Sequence, residues 1–177
     1  KPIDYIVVGE PNHWERINIG YKGSIYVEYE LKKPVAHTAF PAPTAIEEAL
    51  VFTNNLRRRT KEFNQNKERA FDKMHFSIRK INTTHDGLAE TIHLSINFRT
   101  PVGFSFAELK EFIKKQKGRA TVKYHGEEHA LRCGKNNNLV SAFLKAIRQE
   151  KGRPCFVVKT GTSDMNVLGV HYKNVPI

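Results

Sequence analysis

Residues 74–99 read MHFSIRKINTTHDGLAETIHLSINFR, and this stretch decides the fold. Met74, Phe76 and Ile78 fall on alternate positions, Thr84-His85-Asp86-Gly87 supplies a turn, and Ile92, Leu94, Ile96 and Phe98 alternate again. Period two on both sides of a turn predicts an antiparallel hairpin with one apolar face. Working outward, Ile25, Val27, Tyr29 and Leu31 predict an earlier strand, which Pro34 and Pro41-Ala42-Pro43 break. Thr44 with Glu47 forms a capping box for a helix running to about Phe63, with Ile46, Ala49, Leu50 and Thr53 on its apolar face. Downstream, Ser105 and Glu108 form a second capping box, and Phe106, Leu109, Phe112 and Ile113 supply a helical stripe. Gly118 stops that helix and Ala120 to Tyr124 follows as a strand. The order from Ile17 to about Leu131 is β-α-β-β-α-β, which closes into an antiparallel sheet with two helices on one face.

The flanks have a different texture. Ile3 to Val8 reads as a buried strand delivering the loop Gly9-Glu10-Pro11. After Gly134 comes a helix carrying Leu139, Phe143, Ala146 and Ile147, a stop at Gly152, a strand from Cys155 to Val158, and the polar loop Lys159 to Asp164. Val175-Pro176-Ile177 reads as the start of another buried strand. So few strands cannot bury both faces of a parallel sheet, so the flanks are expected to belong to a larger domain. The fold class expected is α+β: a ferredoxin-like module at 16–132 inserted between two segments, 1–15 and 133–177, of a partial α/β domain. Both ends are expected to be cut from a longer protein.

Composition narrows the classes. Hydrophobic residues make up 40%, and no apolar run approaches the roughly 20 residues that span a bilayer, so no membrane partner is expected. Cys133 and Cys155 lack CxxC spacing and form no disulfide framework, which fits a reducing cytoplasm. Lys and Arg number 29 against 18 Asp and Glu, a net +11. The excess gathers at Arg57, Arg58, Arg59, Lys61, Lys67, Arg69 and Lys73, and again at Lys114, Lys115, Lys117 and Arg119. Cations at helix C-termini complement the helix dipole, so the bland reading is a solvated face and the functional one is attraction of an anionic partner.

The motifs Gly9-Glu10-Pro11, Tyr21-Lys22-Gly23-Ser24, Ala36-His37-Thr38-Ala39-Phe40-Pro41, Asn97-Phe98-Arg99 and Gly161-Thr162-Ser163-Asp164 are each short. In this order around an inserted module they resemble the M20 metallopeptidase and deacylase family. The stretch from Ala146 to Asn166 resembles, within it, the members that release lysine or ornithine from an amino-group carrier protein. The resemblance implies a ferredoxin-like dimerisation or lid domain, a homodimer formed through it, and two divalent metals, zinc or cobalt. By resemblance Glu10 ligates one metal. By the same resemblance His37 stabilises the scissile carbonyl oxygen, in its own or the partner subunit's site. Asn97, Arg99, Gly161 and Thr162 bind substrate, with Lys22 and Ser24 as weaker candidates. Arg99 serves equally well as a structural ion-pair partner.

Glu47-Glu48 and Glu127-Glu128 do not qualify as the family's base pair, because neither precedes the Gly-Glu-Pro loop. The base and the remaining metal ligands are expected outside this sequence, so the chain alone is expected to be inactive, with its metal positions empty or weakly occupied. If the carrier is the substrate, it is expected to be acidic. Two other readings stand beside this one: a deacylase of a small N-acyl amino acid, and a nonenzymatic basic RNA-binding module. Nucleic acid is not the expected partner, because the strand face formed by Thr91, His93, Ser95, Asn97 and Arg99 lacks the aromatic residues such modules use.

Overall fold

The computed structural model describes residues 2–37, 39 and 41–177. Thr38 and Phe40 of the His37 motif lie outside the described residues, as does Lys1.

The hairpin forms as its alternation predicts. Strands β3 (His75–His85) and β4 (Ala89–Thr100) pair antiparallel, with Phe76 opposite Phe98 and Ile78 opposite Ile96. A bulge between Ile78 and Lys80 absorbs Arg79, after which Ile81 opposes Leu94. Two earlier elements are β1 (Arg16–Tyr21) and β2 (Gly23–Pro34), and β2 runs beside β4 from Gly23 opposite Thr100 to Pro34 opposite Ala89. With β5 (Thr121–Glu128) on its other side, the sheet order is β3-β4-β2-β5.

Helices α1 (Ala45–Asn64) and α2 (Phe106–Gln116) cover one face of this sheet. Ile25, Val27, Tyr29 and Leu31 of β2, together with Ile92, Leu94, Ile96 and Phe98 of β4, are buried against Phe52, Leu56, Leu109 and Ile113. Each such side chain contributes about 1.5–3 kcal/mol on burial. The Thr44–Glu47 capping box is present, but the buried face of α1 is Ala45, Ala49, Phe52, Thr53, Leu56 and Thr60. Ile46 and Leu50, expected inside, are 42% and 51% exposed. Phe52 determines that rotation by stacking on Tyr29 at 4.5 Å between ring centroids. At α2 only half of the expected box is found: the Ser105 side chain accepts from the Glu108 amide.

A second, three-stranded sheet has the order β6-β1-β7, where β6 is Leu131–Arg132 and β7 is Cys155–Lys159. β1 runs parallel to β7 and antiparallel to β6. Helix α3 (Asn138–Gln149) packs on it through Ile147, which contacts Ile17 and Ile19, while Phe143 stays 38% exposed. The expected strand at Ile3 to Val8 is instead irregular, with Ile3, Tyr5 and Val7 exposed. The reason is that a strand needs a neighbour: beyond the regular elements, the segment's backbone bond is Ile6 N–H to the Pro176 carbonyl at 3.0 Å. Val175 to Ile177 is likewise not a strand. A further helix, α4 (Asp164–His171), follows β7 where the sequence suggested only a loop.

Candidate functional site

The two sheets meet where β1 passes into β2, and most of the residues singled out from sequence gather there. On the helix-free face of the larger sheet, Arg99 lies between Ser24 of β2 and His75 of β3. Its Nη1 donates to Thr162 Oγ1 at 2.6 Å, so the module touches the loop after β7 directly. That settles Arg99's observed partner as a hydroxyl, and none of the carboxylate pairs among the described residues includes it. One residue pair inward, Asn97 Nδ2 donates to Ser24 Oγ at 3.0 Å, and both side chains are buried.

The Thr162 loop is held from two directions. Ser163 caps α4, accepting from the Met165 amide, and Asn166 Oδ1 accepts from Ser163 N–H at 2.9 Å. Lys159, at the end of β7, donates from Nζ to the Pro11 carbonyl at 2.5 Å. This links the Glu10 loop to the Gly161-Thr162 loop across 148 positions of sequence.

Lys22 sits at the junction, fully buried. Its Nζ donates to the carbonyl of Ala70 at 2.9 Å and to that of Lys73. Burial lowers its pKa to about 8, with the Asp72 charge working the other way. The ammonium is therefore spent on backbone rather than presented to a ligand. Burial, aided by the charges of Lys22 and Lys73, also pushes the His75 imidazole below its ordinary range, so it is neutral at pH 7 beside Arg99. Further out on the same face, Glu28 accepts from Ser95 at 2.7 Å and pairs with His125 at 3.0 Å, while His125 stacks on Tyr26. Burial alone would raise the Glu28 pKa, but those bonds and the charges of His125 and Lys80 hold it below the usual carboxylate value.

Glu10 lines a cavity of about 260 Å³ with Asn18, Tyr21, Phe143 and Met165. The Asn18 amide and the Tyr21 hydroxyl are buried without partners there. These are neutral oxygen and nitrogen groups, whereas zinc takes thiolate, imidazole and carboxylate donors. No three His, Cys, Asp or Glu residues converge among the described residues. The described residues therefore do not by themselves fit a metal centre, and Glu10 can offer at most one carboxylate to it.

His37 lies apart, at the far end of β2, lining an open cavity of about 900 Å³ with Glu47, His85 and Glu90. Its Nδ1 accepts from the Ala39 amide at 3.2 Å. The 12 residues of β2 separate it from the junction by roughly 40 Å at about 3.3 Å per residue.

Of the residues singled out from sequence, the fold brings together Arg99, Thr162, Asn97 and Ser24, ties the Glu10 loop alongside through Lys159 and Pro11, and leaves His37 apart. Asn166, Lys159 and His75 stand beside them without having been singled out as candidates. Asn166 was visible as part of Thr-Ser-Asp-Met-Asn, but its partners lie far away in the chain.

No family model matches the chain. It is 30% identical over 170 residues to a [LysW]-lysine hydrolase from Deinococcus radiodurans, covering 93% of this chain and 47% of that protein. A Thermococcus kodakarensis protein provisionally named a [LysW]-lysine/[LysW]-ornithine hydrolase is 27% identical over 96% of this chain and 43% of its own length. The chain thus spans less than half the length of these relatives. Among solved structures, it resembles aminopeptidase PepT from Bacillus cereus with TM-score 0.68 at 13% identity, over 92% of this chain and 44% of that one. It also resembles the M20 family metallo-carboxypeptidase Sso-CP2 from Sulfolobus solfataricus with TM-score 0.66 at 14% identity, over 89% and 50%. The chain is therefore similar in sequence to part of the [LysW]-lysine and [LysW]-lysine/[LysW]-ornithine hydrolases, and it shares the fold of part of the M20 peptidases.

Proposed function

We propose that this chain is the central part of a metal-dependent amidohydrolase that releases lysine or ornithine from an acidic amino-group carrier protein. The observation that carries the reading is the Arg99–Thr162 contact, which joins the larger sheet to the loop after β7 and makes one polar site from two units. The guanidinium N–H groups of Arg99 that Thr162 does not use, together with the Thr162 hydroxyl, form a set of donors suited to a carboxylate, which is what a free amino-acid head presents. Neutral His75 would add a hydrogen bond beside it without adding charge.

In this reading divalent ions, when bound, would supply the activation of water and the polarisation of the carbonyl that amide hydrolysis needs. Glu10 would offer one carboxylate to them. Asn97, Arg99, Gly161 and Thr162 would orient the substrate, while Ser24 holds Asn97. His37 would act in a second copy of the chain, because roughly 40 Å of β2 separates it from its own Thr162 loop. The support for a homodimer through the module is the edge of β3, which pairs only with β4 among the described residues.

The test is steady-state kinetics of the full-length enzyme on carrier-linked lysine, carrier-linked ornithine, and small N-acyl amino acids. A carrier-linked substrate should be preferred in kcat/KM by at least tenfold, equivalent to about 1.4 kcal/mol. Equal or better turnover of acetylornithine or succinyl-diaminopimelate would assign the chain to a small-substrate deacylase instead.

A further inference from the structure

Lys22 is the single residue between β1 and β2, so the path of the chain from one sheet to the other turns on it. Every polar group it owns is engaged. Its N–H donates to the Lys159 carbonyl at 3.3 Å, its carbonyl accepts from Asn166 Nδ2 at 3.1 Å, and its ammonium holds the carbonyls of Ala70 and Lys73. Asn166 is equally committed. It is 2% exposed, and Nδ2 donates a second bond to the His129 carbonyl at 2.7 Å while Oδ1 holds Ser163. One amide thereby ties together the Thr162 loop, the junction residue and the end of β5. Gly23 completes the joint, since a Cβ there would collide with the Glu128 carbonyl and the Thr100 hydroxyl.

A buried ammonium is a poor choice if cohesion is all that is needed, because a methionine of similar length would avoid the desolvation cost. What the ammonium and the amide add is direction: fixed donors aimed at fixed carbonyls. Two residues beyond Lys22, Ser24 opposes Arg99, so a change in the angle between the sheets is transmitted to the Arg99–Thr162 contact.

We propose that Lys22 and Asn166 are positioning residues that set the angle between the two sheets and so bring Arg99 of one against Thr162 of the other. The consequence for catalysis rests on the function proposed above, in which Arg99 and Thr162 hold the substrate. The geometric claim does not.

Two measurements separate them. In the 177-residue chain, diluted with an excess of unlabelled chain so that only distances within one copy are read, spin labels at the exposed Cys155 and at a cysteine introduced by Lys123→Cys on β5, with Cys133→Ser, report the distance between the sheets. The parent should show one narrow distance. Asn166→Ala and Lys22→Met should broaden it while circular dichroism and Trp14 fluorescence show both units folded, and Asn166→Asp, which keeps the size but loses both donated bonds, should broaden it too. A narrow, parent-like distribution in these folded variants would overturn the proposal.

In the full-length enzyme, Asn166→Ala should lower kcat/KM on carrier-linked substrate by on the order of tenfold to a hundredfold, mostly through KM. It should add little on top of Thr162→Val, because both act on one contact. Full additivity would overturn the coupling. If the enzyme ignores carrier-linked substrates altogether, the functional reading fails and the distance measurement still decides the joint.

Discussion

The ammonium of Lys22 is the residue whose protonation the fold constrains most. Its pKa falls from 10.5 to about 8 because burial disfavours the charged form more than Asp72 favours it. Below pH 8 the group is charged in both the folded and unfolded chain, and the fold carries the full desolvation cost. Between pH 8 and 10.5 the unfolded chain holds more protons than the folded one, so stability from this group rises with pH. The gain is complete above 10.5 and is at most about 3 kcal/mol. Urea unfolding of the parent and of Lys22→Met at pH 7 and pH 10 should therefore show the difference between them moving in the parent's favour at the higher pH. Parallel pH profiles would mean that Lys22 is not buried as an ion. At this scale the sequence was legible where short motifs carried it: Asn97-Phe98-Arg99 and Gly161-Thr162, far apart in the chain, do come together through the Arg99–Thr162 hydrogen bond. It was not legible where function depends on reach. Nothing local to Lys22, a weaker candidate for substrate contact from the sequence, shows that its side chain ends on Ala70 and Lys73, some 50 positions away.

Among the elements, those with strict alternation or a cap were readable, because one face was fixed by the core: β2, β3, β4 and α1 lie within a few residues of expectation. The failures have physical causes. Ile3 to Val8 has the apolar content of a strand but lacks a ladder partner, and α4 carries apolar residues on all sides, so no helical stripe marks it. The rotation of α1 has a consequence for assembly. It leaves Ile46 and Leu50 exposed beside the edge strand β3, whose own Ile78 and Ile81 are 39% and 57% exposed. β3 pairs only with β4 among the described residues, so its outer backbone groups are free to extend the sheet into a second copy. The apolar row above that edge would be covered by its counterpart in an isologous contact. Ile78→Lys with Ile81→Lys should convert a dimer into a monomer in sedimentation, leaving circular dichroism unchanged. With His37 supplied across the dimer, the same double variant should also lose most carrier-linked hydrolysis. A dimer that survives both lysines would place the interface elsewhere.

At the scale of the whole molecule, the net charge of +11 acquires a direction. α1 and α2 run antiparallel, so their basic ends lie at opposite ends of the module. Arg57 through Lys73 stand at the end near Lys22, His75 and Arg99, and Lys114 through Arg119 at the end near β2's Glu30. If both clusters only complement helix dipoles, reversing either should cost stability alike and leave substrate association unchanged. If the first cluster steers an acidic carrier, the two should differ. Long-range attraction acts on the association rate and is screened over about 8–10 Å at physiological salt. Stopped-flow association of the carrier with full-length enzyme should therefore slow as salt rises from 20 to 300 mM. Arg57→Glu, Arg58→Glu and Arg59→Glu together should reduce the low-salt rate by about tenfold and flatten its salt dependence. Lys114→Glu with Lys115→Glu should change it far less. Equal effects from the two ends would return the charge to a general property of the surface. An unchanged rate in both would remove acidity of the carrier as the reason for it.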